Sequence, residues 1–178
     1  MKKVAFVFGL VSGFTVSIFN FIIMSLGTSG KISINNGDIF GYVGIVIALS
    51  MIFFGIKSYR DKHQNGVIKF GKAFLVGFLI SLIASVTWAA VSEVYYQIDP
   101  EKTEAFMEKY SEYQLTELQK KGAPQVEIDA VIKESVEMKE MHKNPLARIV
   151  MSLAILMPGI IIALISAAIL RKKEVLPA

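Results

Sequence analysis

Glu93 is the one acidic residue inside a long apolar stretch of this 178-residue chain. An ionisable group in lipid is costly, so it marks a proton or ion pathway unless it finds water or a partner. Close to the end of its stretch, Glu93 has that alternative. It can reach water or pair with Arg148, which enters at the same level of the sequence pattern. An interfacial pair of this kind contributes about 0–1 kcal/mol, and this structural reading ranks ahead of ion coupling. Asn20, near the end of the first apolar stretch, offers interhelical hydrogen bonding or, on the sharper reading, a contact to a transported substrate.

Other chemistry is poorly supplied. Cysteine is absent, which excludes disulfides, zinc–thiolate sites and thiol nucleophiles. His63 and His142 fall on opposite sides of the expected membrane and cannot share an ion. The carboxylates between residues 97 and 145 are spaced along solvated helix faces, as salt pairs and solubility require. No Ser/His/Asp set, H-E-x-x-H motif or intramembrane acid pair is present. Gly66 and Gly71 match no phosphate-binding loop, and no strand precedes them. The sequence therefore assigns no catalytic, cofactor or metal residue, and an enzyme is not expected. Nucleic acid is not among the expected partners.

The elements that must position these residues are four apolar stretches, at about residues 4–26, 39–56, 73–96 and 146–170. Each is near the length that crosses a hydrocarbon core of about 30 Å at 1.5 Å per residue. Mean hydropathy is +0.52 even though a polar insert dilutes it. The expected fold is all-α, a four-transmembrane-helix bundle in one membrane domain. Residues 99–144 form an extramembrane two-helix hairpin between the third and fourth spans. Lys2-Lys3 and Ser25-Leu26-Gly27 resemble parts of a signal peptide. The run between them greatly exceeds the about 7–15 residues of a signal h-region, so a retained first span is expected.

Charge sets the orientation. Lys2, Lys3, Lys57, Arg60, Lys62, Lys69, Lys72, Arg171, Lys172 and Lys173, against Asp61 and Glu174, give one side a net +8. Residues 97–145 carry seven lysines and eleven acids, a net −4. Lys31, Asp38, Glu93 and Arg148 cancel. Short basic loops stay cytoplasmic, so both termini are expected in the cytoplasm and residues 97–145 outside it. The sixteen residues 57–72 hold five cations and one acid. They are expected to touch anionic lipid, with docking of a cytoplasmic partner or a phosphate ligand as the sharper alternative.

Local signals fill in the spans. Gly9, Gly13 and Ser17, and again Gly77, Ser81 and Ser85, recur every fourth residue and permit close helix approach. Packing within the bundle is the plain reading, and a homodimer seam the alternative. Asn36-Gly37 reads as a turn and Asp38 as the N-cap of the second span. Val67-Ile68-Lys69-Phe70 reads as a short amphipathic segment along the interface. Tyr95 and Tyr96 suit an interfacial belt, while Trp88, deeper, reads as a packing residue. Asp99-Pro100 starts the first hairpin helix and Lys120-Lys121-Gly122 stops it; Asn144-Pro145 ends the second. Phe106, Tyr110 and Tyr113, with Leu118 beside them, face Ile128, Val131, Ile132, Met138 and Met141 across the hairpin. Pro158-Gly159 predicts a kink in the fourth span.

Three consecutive elements carry a resemblance: Gly55-Ile56-Lys57-Ser58-Tyr59-Arg60-Asp61 ending one span, Gly66-Val67-Ile68-Lys69-Phe70, and Lys72-Ala73-Phe74 with Gly77 opening the next. Over residues 54–81 the chain resembles a domain-of-unknown-function family of small bacterial integral membrane proteins, and its four-span layout is similar too. The resemblance implies a fold and a bacterial inner-membrane location, and no mechanism. It singles out Tyr59, Arg60, Asp61, Gly66, Phe70 and Phe74 as candidate functional residues. The residues themselves imply only that Arg60 and Asp61 cap or clamp the loop. The expected role is a non-enzymatic accessory, scaffold or partner-binding protein, with a protein partner or a second copy of the chain as the expected ligand beside the bilayer. The alternative is a small oligomeric transporter or channel component built on Glu93 and the kinked fourth span.

Overall fold

The computed structural model describes residues 1–29 and 34–172, without the side chains of 34–42. Lys31, Lys173 and Glu174 lie outside the described residues, as does the side chain of Asp38. The described chain is helical nearly throughout: α1 (Lys2–Thr28), α2 (Ile34–His63), α3 (Phe70–Ile98), α4 (Pro100–Lys120), α5 (Gln125–Lys143), α6 (Pro145–Ser152) and α7 (Leu156–Leu170). A 3₁₀ turn, Leu153–Ile155, joins α6 to α7, and together they form one span of 26 residues, Pro145–Leu170. Among the described residues, four helices are long and apolar enough to cross a membrane. The all-α four-span bundle with a helical hairpin is the observed architecture.

The bundle is built inside out relative to a water-soluble one. On α1 the large side chains Val7, Val11, Phe14, Ile18 and Ile22 are exposed, while Ala5, Gly9, Ser12, Gly13, Val16 and Ser17 are buried. On α7, Met157, Ile161, Leu164 and Ile165 point out and Gly159, Ala163, Ser166 and Ala167 point in. Bulky apolar surface of this extent is tolerable only against lipid tails. With no hydrophobic drive between helices in lipid, small residues that let backbones approach supply the association. The protein is a multi-pass membrane protein.

The small-residue rows seat specific neighbours. A Cβ on Gly9 would lie 2.6 Å from the Cβ of Ile83, and one on Gly13 would lie 2.6 Å from that of Thr87, so this row seals α1 to α3. Gly77 faces Ala163, and Gly159 faces Ser81, which seals α3 to α7. The hydroxyl of Ser12 donates to the carbonyl of Ala48 at 2.7 Å and ties α1 to α2. Both rows serve packing within one chain. α1 and α7 flank the α2–α3 pair, each touching both, and do not contact one another among the described residues.

The fourth span breaks where its chemistry requires. Pro158 cannot donate to the carbonyl of Ala154, and its ring crowds that carbonyl. The backbone tightens to 3₁₀ geometry at Leu153–Ile155, one turn earlier. The hairpin also has clear local causes. Asp99 accepts a hydrogen bond from the amide of Lys102 at 3.1 Å and Pro100 occupies the first turn. Gly122 takes φ +66° beyond the end of α4, a left-handed conformation that ends helices cheaply only at glycine. Asn144 caps α6 by accepting from Leu146 at 2.9 Å.

Two expectations are corrected. α2 begins at Ile34 and runs to His63, so Asn36-Gly37 and Asp38 lie within it rather than in a turn and at an N-cap. Its far end is extended by Arg60, Lys62 and His63 in the last turn, where cations favour the negative end of the helix dipole. Val67–Phe70 is also not an interfacial amphipathic segment. Ile68 is 2% exposed and exchanges two backbone hydrogen bonds with Lys172, at 3.1 and 3.0 Å, while Phe70 opens α3.

Candidate functional site

The chemistry-bearing residues gather at two ends of the bundle. At the hairpin end, Glu93 sits near the close of α3, and Arg148 sits one turn into α6 because Asn144-Pro145 starts that helix. Arg148 Nε donates to Glu93 Oε2 at 2.9 Å and Nη2 donates to Oε1 at 2.7 Å. This side-on, two-bond geometry is the strongest that an arginine and a carboxylate form. Nη1 donates to the carbonyl of His142 at 2.5 Å, and the guanidinium carbon lies 3.9 Å from the ring centre of Tyr96. Gln97 donates to Glu93 Oε1 at 3.2 Å. Ser152, one turn along α6 from Arg148, has its hydroxyl 3.1 Å from that of Ser92, the residue before Glu93.

This cluster joins three elements: the end of α3, the start of α6 and, through His142, the root of the hairpin. The side chains of Arg148 and Glu93 are 10% and 14% exposed. Neighbouring side chains thus shield the pair from most direct contact with solvent. Beside it lies a cavity of about 270 Å³ lined by Asn20, Met24, Trp88, Tyr96, Met107 and His142, among others. Asn20 is exposed toward this space, and among the described residues it makes no interhelical hydrogen bond. Trp88 is a cavity wall rather than plain packing. Glu93 therefore pairs with Arg148 and also shares a cavity with Asn20. α4 roofs this end: Phe106 closes over Gly27, and Lys109 Nζ donates to the carbonyl of Thr28 at 2.7 Å.

At the opposite, basic end, the residues of the signature build a latch. Tyr59 is 5% exposed and lies against His63, ring centres 5.6 Å apart. Arg60 donates to Asp61 at 2.7 Å through Nε and to the carbonyl of Leu170 at 3.4 Å through Nη1. Asn65 and Gly66 take φ 49° and +79°, and the amide of Gly66 folds back onto the carbonyl of Arg60 at 3.1 Å. That reversal carries Ile68 to its backbone pairing with Lys172. Lys72 donates to Gln64 at 2.9 Å. Phe70 stacks on Phe74, ring centres 6.4 Å apart. Arg60 thus holds the loop through its backbone carbonyl and the end of α7 through its guanidinium, while Asp61 bonds Arg60.

The structure thus gathers Tyr59, Arg60, Asp61, Gly66, Phe70 and Phe74 at one end and Glu93 with Asn20 at the other. Sequence reasoning missed His142, Tyr96 and Gln97 as partners of the ion pair, and Lys172 and Leu170 as partners of the loop. The tyrosine and the glutamine, at +3 and +4 from Glu93, share its helix face and were legible in principle. The long-range partners had no local signal. Among the described residues no group of three or more His, Asp or Glu side chains is arranged to hold a metal ion.

No curated protein and no solved structure matches the chain. A family model does match, over residues 7–172, and covers both ends of the bundle together with the hairpin. The chain belongs to that family, described as protein of unknown function (DUF4199).

Proposed function

We propose that the chain is a non-enzymatic accessory or partner-binding protein of the bacterial inner membrane, with both termini cytoplasmic and the hairpin outside. The observation that supports this most is apolar surface left on the hairpin after its helices pair. On α5, Val126, Ile132 and Val136 remain 79%, 44% and 57% exposed, away from the lipid-facing spans. Neither hairpin helix has a buried residue, so α4 and α5 alone do not complete a core. A partner covering α5 would remove this area from water at about 25 cal/mol per Å².

The test is site-specific photo-crosslinking in intact cells with a crosslinking residue at Val136, and at Glu112 on α4 as a control. A discrete adduct with one identified protein, at Val136 and not at Glu112, is the expected result. Equal, diffuse labelling at both positions would refute a partner on α5.

The competing reading is a transport component, and one observation favours it: Glu93 and Asn20 line the same cavity. Flux measured in proteoliposomes decides between them. A pH-dependent flux in the wild type that disappears in Glu93→Gln, with assembly intact, would establish transport. The accessory role predicts no such flux.

A further inference from the structure

The cavity beside the ion pair has a second chamber. About 300 Å³ lies between Phe19, Ile23, Gly44, Ile45, Ile155 and Pro158, in the gap that the bent fourth span leaves in the bundle. Its walls are almost wholly apolar. Asn20 and Trp88 line this chamber and also the outer one of about 270 Å³, so the two lie next to each other on either side of those side chains. The outer chamber holds the polar groups: Glu93, Arg148, Ser92, Thr103 and His142. Together they reach the size of small-molecule sites, about 300–1,000 Å³. An apolar inner chamber opening into a charged outer one has the polarity profile of an amphiphile.

The chemistry of the outer chamber narrows the headgroup. Arg148 spends three of its five N–H groups, on the two oxygens of Glu93 and the carbonyl of His142, which leaves two donors for a phosphate. Glu93 Oε2 accepts from Arg148 alone among the described residues and keeps a lone pair for an ammonium donor. Trp88 and Tyr95 also line the outer chamber, and aromatic rings attract a cation. The pair as a whole is neutral, so a headgroup of one sign would meet a like charge next to its counter-charge. A headgroup carrying both signs meets both.

From this juxtaposition we infer that the two chambers form a binding site for one phospholipid with a phosphoethanolamine headgroup. The phosphate lies at Arg148, the ammonium at Glu93, and an acyl chain in the chamber walled by Ile45 and Ile155. This site is independent of any protein partner on the hairpin.

Trp88 is the chain's single tryptophan and lines both chambers, so its emission reports the occupant directly. The full-length protein is placed in vesicles of equal parts phosphatidylethanolamine and phosphatidylglycerol, with brominated acyl chains on only one of the two lipids. Bulk composition is then the same in both samples. The expected result is a larger loss of Trp88 emission when phosphatidylethanolamine carries the bromine. Equal quenching would mean unselective lipid contact, and larger quenching by phosphatidylglycerol would mean selection by Arg148 alone. Either overturns the site, with no variant needed. Ile45→Phe fills the inner chamber and should abolish the excess quenching, whereas Val46→Phe, on the lipid-facing surface at 67% exposure, should retain it. An excess that persists in a folded Ile45→Phe protein would remove the acyl chain from that chamber.

Discussion

At the scale of single residues, the Glu93–Arg148 pair is more enclosed than a surface ion pair. A surface pair is worth little because water already solvates both charges. Here both side chains are mostly removed from solvent, and each is held by the other and by His142 or Gln97. Removing one partner therefore leaves a poorly solvated charge. Arg148→Ala and Glu93→Ala should each lower stability by about 3–5 kcal/mol, while replacing both with leucine should recover most of that loss. Unfolding in mixed detergent micelles, monitored by helix content, measures all three variants. If the single variants lose less than the double one, the pair is not a buried clamp. The Glu93→Gln change is milder, since an amide retains one acceptor and can still bond Arg148. Its stability cost should fall in the range of one hydrogen bond to a charged group, about 1.5–3 kcal/mol.

At the scale of elements, helix contacts depend on the absence of side chains. Gly13 meets the carbonyl of Ala84 at 2.8 Å from a hypothetical Cβ, and backbone cannot move aside as a side chain can. Gly13→Ala should cost about 1–3 kcal/mol through forced separation of α1 and α3. At Gly71, near the start of α3, an added Cβ meets nothing within 4 Å. Gly71→Ala should be neutral or stabilising by up to about 1 kcal/mol. The same micellar unfolding measurement distinguishes the two, and equal effects would contradict the packing role of the glycine row. This contrast was partly legible in the sequence. Spacing marked Gly9, Gly13 and Ser17 as a row, and Asp99-Pro100, Gly122 and Asn144-Pro145 marked helix ends, because each acts through bonds within a few residues. The start of α2 was not legible, since Asn36-Gly37, a pair of turn-forming residue types, lies inside the helix. The backbone pairing of Ile68 with Lys172 was equally hidden, because no local pattern announces a contact between segments so far apart in sequence. Asn20 was read as an interhelical donor from its type, yet the gap left by the bent fourth span places it on a cavity wall.

At the scale of the whole molecule, the two ends of the bundle are unlike. One is basic and held by a compact loop, with Arg60 and Ile68 fastening the end of α7. The other carries the acidic hairpin, fixed to the spans through Arg148, Lys109 and the packing of Phe106 on Gly27. Both the proposed partner surface on α5 and the proposed lipid site belong to the hairpin end, so their meaning depends on which side of the membrane that end occupies. The proposed orientation, which rests on the positive-inside rule, has it outside the cytoplasm. The absence of cysteine makes orientation directly measurable with single introduced thiols. Glu134→Cys on α5 and Lys62→Cys at the end of α2 are both exposed positions. Treated in intact cells with a membrane-impermeant maleimide, Glu134→Cys should be labelled at once and Lys62→Cys only after the membrane is permeabilised. Labelling of Lys62→Cys in intact cells, with Glu134→Cys protected, would invert the protein in the membrane and contradict the proposed role of the hairpin.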